Sequence, residues 1–224
     1  MPIPEKSTPV RRVSVKDKIY NILEGWIIDG TLLPGEKISD LEIAKHFNVS
    51  RTPVREAFHQ LEMQKLIESY PGKATIVSAI QTDNLEQYYL PLSVLQGLAA
   101  KLACENMTRD SFKELTSLNN KFKAALTSND LVMTGKYDEE FHKCIIHLSG
   151  NPYIIDFCEI LNLHVKRLCF LSFKNNIAAE DSVTQHEDII RAFEKKDAEL
   201  VSTLVEKNIM TAMNRIKSML EQTR

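Results

Sequence analysis

Three helical stripes in the second half of the chain carry polar groups where apolar ones are expected. Asp138 and His142 stand four residues apart, on one face with Phe141, Ile145 and Leu148. His186 shares a face with Ile189, Ile190 and Phe193, and Asn208 shares one with Val201, Leu204, Val205 and Ala212. Side chains four apart on a helix project from the same side. Asp138 and His142 can therefore converge on one ion, and His186 can supply a third ligand from another helix. A mixed imidazole and carboxylate set suits zinc, nickel, manganese or iron. A second reading keeps the same residues as a satisfied hydrogen-bond network, because a buried polar group is costly only when unpaired.

A different chemistry gathers in the first third. Ser50 is placed to cap a helix, Pro53 falls in its first turn, and Val54, Ala57, Phe58 and Leu61 repeat at helical spacing. Arg51, Thr52 and Arg55 lie at the start of that helix. An Arg there pairs bidentately with guanine or clamps a phosphate.

The elements that must position these groups follow from pattern. Residues 1–14, with three prolines, read as a flexible arm. Val15–Asp29 is an amphipathic helix through Val15, Ile19, Ile22, Leu23, Trp26 and Ile27, ended by Gly30. Ser39 and Glu42 form a capping box for a short helix with Leu41, Ile43, Ala44 and Phe47 as its apolar positions, and Asn48 ends it. Two helices around so tight a turn make a helix-turn-helix. Leu66–Tyr70, Pro71–Lys73 and Ala74–Val77 then read as strand, turn and strand, a small β-wing. Gly72 permits close backbone approach to a phosphate, and Lys73 adds charge. Residues 79–83 are a linker, with Thr82 or Asp83 capping the next helix. Residues 84–220 read as helices only: Leu85–Asn106 with Pro91 bending it, a second from Thr108 to Leu126, Leu131–Leu148, one following the Gly150-Asn151-Pro152 break to about Phe173, one opened by a Thr184–Glu187 capping box and running to Lys195, and a last to about Leu220. The fold class is mainly α: an N-terminal winged helix-turn-helix over residues 15–78 and an antiparallel all-α bundle of about six helices.

At these residues a resemblance becomes specific. Leu33-Pro34-Gly35, Val49–Ala57 and Pro71-Gly72-Lys73 resemble the winged-helix domain of GntR-family transcription regulators. Asp138–His142, Ser149–Pro152 and His186–Phe193 resemble the effector domain of the FadR branch, the FCD domain. The resemblance implies a divalent metal held by Asp138, His142 and His186, with Asn208 at the position of a fourth ligand where relatives carry His. It also implies an effector, often a small organic acid. The Arg and the Leu-Glu pair that relatives carry on the first bundle helix are replaced by Leu92–Gln96, which leaves Arg167 as a candidate cation for the effector. His164 is a candidate substitute ligand, while His147, His46 and His59 read as structural or surface residues.

Composition bounds the rest. The chain has 224 residues and a net charge of −2, so bulk charge does not mark a nucleic-acid binder. Residues 1–78 hold 11 Lys/Arg against 10 Asp/Glu, so DNA affinity depends on local contacts and dimerisation. Cys104, Cys144, Cys158 and Cys169 include no C-x-x-C pair and read as reduced thiols. With neither a signal-peptide core nor a membrane-length apolar run, a cytoplasmic protein without a membrane partner is expected. No Ser-His-Asp elbow, phosphate loop or dinucleotide fingerprint appears, so no enzyme is expected. The expected function is a DNA-binding transcription regulator, a repressor, acting as a homodimer on an inverted repeat in double-stranded DNA. Alternatives are an effector-independent DNA binder with an eroded ligand site, and a metal-dependent enzyme using Asp138, His142 and His186 to activate water.

Overall fold

The computed structural model describes residues 14–70, 74–172 and 180–222, and the chain divides into two compact units between Ala79 and Ile80. The arm up to residue 13, the wing tip with Gly72 and Lys73, and residues 173–179 lie outside the described residues.

In the first unit, α1 (Val15–Ile28) opens where the Ser14 hydroxyl accepts the Asp17 N–H at 3.1 Å. Ile19, Leu23 and Ile27 stack on its buried face. Gly30 follows at φ +72°, a left-handed residue that stops the helix as expected. Of the expected apolar stripe, Val15 and Ile22 are exposed and Trp26 is half-buried. Trp26 stacks on Phe47, with ring centroids 5.7 Å apart.

Helices α2 (Asp40–His46) and α3 (Arg51–Met63) form the helix-turn-helix, and Asn48 makes the turn at φ +51°. Ser39 accepts the Glu42 N–H at 3.4 Å, the first half of the expected box. Leu41 is 45% exposed, so it faces away from the core that Ala44 enters. Val54, Ala57, Phe58 and Leu61 bury the inner face of α3. Removing such a side chain costs about 2–5 kcal/mol.

The wing strands are short: β2 (Ile67–Glu68) and β3 (Thr75–Val77) pair antiparallel with Ile67 opposite Val77. A third strand that pattern reading missed, β1 (Lys37–Ile38), pairs with β3 on its other edge, giving the order β1-β3-β2. Two residues are too few for alternation to register. Leu66, Ile67 and Val77 are at most 1% exposed and seal the sheet to α3.

Among the described residues the second unit is six helices: α4 (Glu86–Asn106), α5 (Arg109–Thr127), α6 (Leu131–Leu148), α7 (Pro152–Ser172), α8 (Glu180–Glu194) and α9 (Ala198–Gln222). Two starts differ from expectation. Leu85, not Thr82 or Asp83, occupies the N-cap of α4. Helix α8 is already formed at Glu180, so Thr184 lies inside it and caps nothing. Burial of Ser182 and Val183 against the bundle outweighs the local capping signal. Thr108 caps α5 with the reciprocal Ser111 partner, and Asp130 caps α6 by accepting the Met133 N–H at 3.0 Å.

Helices α4 and α9 pack along each other, and Gly97 makes this close: a Cβ there would lie 2.5 Å from Glu206 Oε1. One apolar cluster joins Leu115, Phe141, Ile145, Ile189, Phe193 and Val205 across α5, α6, α8 and α9. A second joins Tyr89, Leu92, Ile146, Leu168 and Met213 across α4, α6, α7 and α9. The four cysteines are free thiols, and burial pushes Cys158 and Cys169 up to about 12.

Candidate functional site

The two apolar clusters leave polar groups in the interior of the bundle. Helix α6 directs Asp138 and His142 inward one turn apart, and α8 brings His186 to meet them. One ligand atom from each of the three lies within 4.8 Å of the others. His186 is fully buried, with Nε2 3.5 Å from Asp138 Oδ1. Phe141 stacks on its ring at 4.0 Å between centroids and 13° between planes. His142 stands edge-on to it at 5.4 Å.

Two observations test whether this trio fits a metal ion. His142 Nδ1 and His186 Nε2 are both buried without a hydrogen-bond partner. Leaving such an atom unsatisfied costs about 1–3 kcal/mol. The other nitrogen of His186, Nδ1, lies 3.2 Å from Asn119 Oδ1 on α5. An amide oxygen only accepts, so Nδ1 carries the proton and Nε2 presents its lone pair toward Asp138 and His142. That is the outer-shell arrangement of a ligating imidazole. Asn119 in turn donates to the Val183 carbonyl at 3.3 Å, which holds its amide in place.

Electrostatics agree. Burial holds His186 well below its ordinary value, and His142 and Arg215 push the same way. Burial also lowers His142, while Asp138 and a hydrogen bond with Asn208 pull it back. Both imidazoles are therefore neutral and available as ligands. Burial raises the Asp138 carboxyl, with His142 and Arg215 lowering it. Asp138 itself is only partly buried, with 43% of its side-chain surface accessible.

Asn208, the fourth expected position, is 4% exposed beside His142 and donates to Gln185 Oε1 at 2.7 Å. Arg167 on α7 is 1% exposed and acts electrostatically with Tyr88. The cation that acts on Asp138 and His186 is Arg215 on α9, two turns beyond Asn208. Its Nη1 donates to Ser182 Oγ at 2.8 Å, and its Nη2 is buried without a partner. Gln96 Oε1 on α4 is likewise buried without a partner, while the buried Tyr89 hydroxyl meets the Cys169 thiol. Pattern reading missed Asn119 and Arg215. Asn119 interrupts the Leu115, Leu118, Phe122 stripe of α5, the same misplaced polarity that singled out the trio.

His164 does not join the trio; it stacks on Tyr88 at 5.2 Å. His147 is exposed and bonds the Lys143 carbonyl of its own helix at 2.7 Å. His46 packs edge-on to Trp26, and His59 is exposed.

In the first unit, Ser50 occupies the N-cap of α3 in extended conformation but makes no side-chain cap bond. Arg51, Thr52 and Arg55 are exposed on the first turns of α3, and both arginines pair with Asp40 of α2.

A winged helix-turn-helix unit with an all-helical second unit is the architecture of a bacterial transcription regulator. The sequence model of bacterial regulatory proteins of the gntR family matches residues 15–77, and that of the FCD domain matches residues 92–210. The chain belongs to the GntR family, with an FCD domain. It is 25% identical over 208 residues to the HTH-type transcriptional repressor RspR of Escherichia coli K12, covering 93% of this chain and 91% of RspR. It is 25% identical over 194 residues to the probable D-xylose utilization operon transcriptional repressor of Paenarthrobacter nicotinovorans, covering 87% and 85%. Among solved structures, E. coli McbR/YncC shares the fold at a TM-score of 0.78 and 22% identity, covering 95% of this chain and all of that one. No helix among the described residues is long and apolar enough to cross a membrane.

Proposed function

We propose that this regulator is a cytoplasmic homodimer that binds an inverted repeat in double-stranded DNA and represses transcription, with its hold on DNA set by a small ligand bound with a divalent metal in the helical unit. The observation that carries the ligand half is the pair of buried, unpartnered imidazole nitrogens, His142 Nδ1 and His186 Nε2, beside the Asp138 carboxylate. Asp138, His142 and His186 would hold the ion, and Asn208 stands beside His142. A bound divalent ion supplies Lewis acidity and positive charge to an oxygen of the ligand. Arg215 offers an unused guanidinium N–H on the same interior, so a small organic acid suits the site. Arg167, 1% exposed on α7, is a further cation inside the bundle. An effector-independent binder would leave these polar atoms unsatisfied for no return, and that disfavours it.

The DNA half rests on Ser50, Arg51, Thr52 and Arg55 at the exposed start of α3; the sequence expectation that Gly72 and Lys73 add phosphate contacts falls outside the described residues. A second copy doubles a contact area that is small for one winged unit. Leu90, Val94 and Leu98 form a stripe on α4 that is 44–54% exposed, a surface suited to that second copy. The two relatives named as repressors support the direction of regulation. Selection of genomic fragments by the purified protein, with added Zn²⁺ or Mn²⁺ and with chelator, tests this reading. A short palindrome whose recovery changes with metal supports it, and recovery of no preferred sequence overturns it.

A further inference from the structure

We propose that Asp40 is a positioning residue that sets the selectivity of the DNA reader: its one carboxylate holds both recognition arginines, Arg51 and Arg55, in aimed positions and shields their charge from non-specific phosphate. The inference rests on the reading of α3 as the recognition helix.

Asp40 is the first residue of α2, directly after the Ser39 cap, so its backbone is fixed. Its side chain is 20% exposed, against 48% and 64% for Arg51 and Arg55. Arg51 donates through Nη2 to Oδ1 and Oδ2, both at 2.9 Å, and through Nε to Oδ2 at 3.2 Å. Arg55 donates through Nε to Oδ2 at 2.7 Å. One anion thus serves two cations. An exposed ion pair adds little to stability, so the contribution of Asp40 lies elsewhere.

Two consequences follow for DNA. Guanine offers O6 and N7 to a guanidinium fork. Arg55 meets Asp40 by Nε alone, so both of its Nη groups stay available in a fixed direction. Non-specific affinity instead follows the number of phosphates neutralised. A phosphate must here compete with a carboxylate already in place. Asp40 is ionised at neutral pH, because the Arg51 and Arg55 hydrogen bonds hold its carboxyl below the usual range. Its loss releases one more positive charge and frees two flexible side chains.

The test uses Asp40→Asn and Asp40→Glu in the full chain. The probes are a duplex selected by the wild-type protein from a random-sequence library and a scrambled duplex of the same length, at two salt concentrations. For Asp40→Asn the ratio of specific to non-specific affinity falls at least about tenfold, and the salt slope of non-specific binding steepens by about one. Asp40→Glu restores most of the ratio. A ratio within twofold of wild type overturns the inference while the reader assignment stands. A parallel fall of both affinities together with Tm assigns Asp40 a merely structural role and also overturns it. Failure of the wild-type protein to select any sequence overturns the reader assignment itself.

Discussion

Asn119 Oδ1 accepts the proton of His186 Nδ1 across the α5–α8 contact at 3.2 Å, and this bond aims the opposite nitrogen of His186 at Asp138. Asn119 has no part in the trio, yet it decides which tautomer the trio presents. Asn119→Ala removes the acceptor and frees the ring to turn. Affinity for Zn²⁺ or Mn²⁺, measured by calorimetry, is expected to fall about 10–100-fold. An unchanged affinity would show that the tautomer is set by something other than Asn119.

Metal occupancy should register as stability. An ion that binds only the folded state stabilises by about 2.7 kcal/mol at a hundred times its Kd. Wild-type protein is expected to melt several degrees higher in excess Zn²⁺ or Mn²⁺ than in chelator. His186→Gln and His142→Gln should each lose that rise while retaining the helical circular dichroism spectrum. A rise that persists in both variants would place the ion elsewhere.

The two histidines also fix a sign for pH. Burial lowers both below the ordinary value of 6.5, so the unfolded chain takes protons first. In chelator-treated protein this contribution to stability is present above about pH 6.5 and drains as pH falls toward the folded values. Asp138, raised above 3.8 chiefly by burial, has the opposite sign: as pH falls through its folded value the native state takes the proton first and offsets part of the loss. The urea midpoint should fall from pH 7.5 to 5.5, and the His142→Gln, His186→Gln double variant should flatten that slope. Equal slopes would mean that other groups control it.

Arg55→Ala is expected to weaken binding to a selected duplex about 10–100-fold, the discrimination of one bidentate base contact. Its affinity for scrambled duplex should change much less. Gel-shift titration against both duplexes separates the two effects. Equal losses on both would make Arg55 a phosphate clamp rather than a base reader.

Val94 lies at the centre of the exposed α4 stripe at 54% exposure. Val94→Glu introduces a charge there without disturbing the buried face of α4. Light scattering is expected to report a shift from dimer to monomer, with Tm lowered because assembly stabilises the folded chain. A variant that stays dimeric would move the interface to another face.

Much of this protein is written in local pattern. The helix-turn-helix followed from Ser39, Asn48 and the Val54–Leu61 spacing, because caps and left-handed turn residues act over three or four positions; Ser50 holds the N-cap position of α3 without a side-chain cap bond. The six bundle helices and the family itself were legible for the same reason. Asp138, His142 and His186 were visible as polar breaks in apolar stripes, since burial makes any such break expensive.

Relations between distant segments were not legible. Strand β1 exists only because β3 offers it an edge. Helix α8 runs on the N-terminal side of Thr184, where Ser182 and Val183 are buried against the bundle, and this overrides a capping signal at Thr184. Asn119 and Asp138 are 19 residues apart, and only the packing of α5, α6 and α8 makes them neighbours of one imidazole. Likewise Asp40 reads in sequence as an ordinary first-turn acid, and only the crossing of α2 and α3 sets it between Arg51 and Arg55. Sequence determined which residue types were available and on which helical face each lies, because periodicity is local. Tertiary structure decided which faces meet, because hydrogen bonds and ion pairs between segments depend on distances of a few ångströms that no spacing encodes.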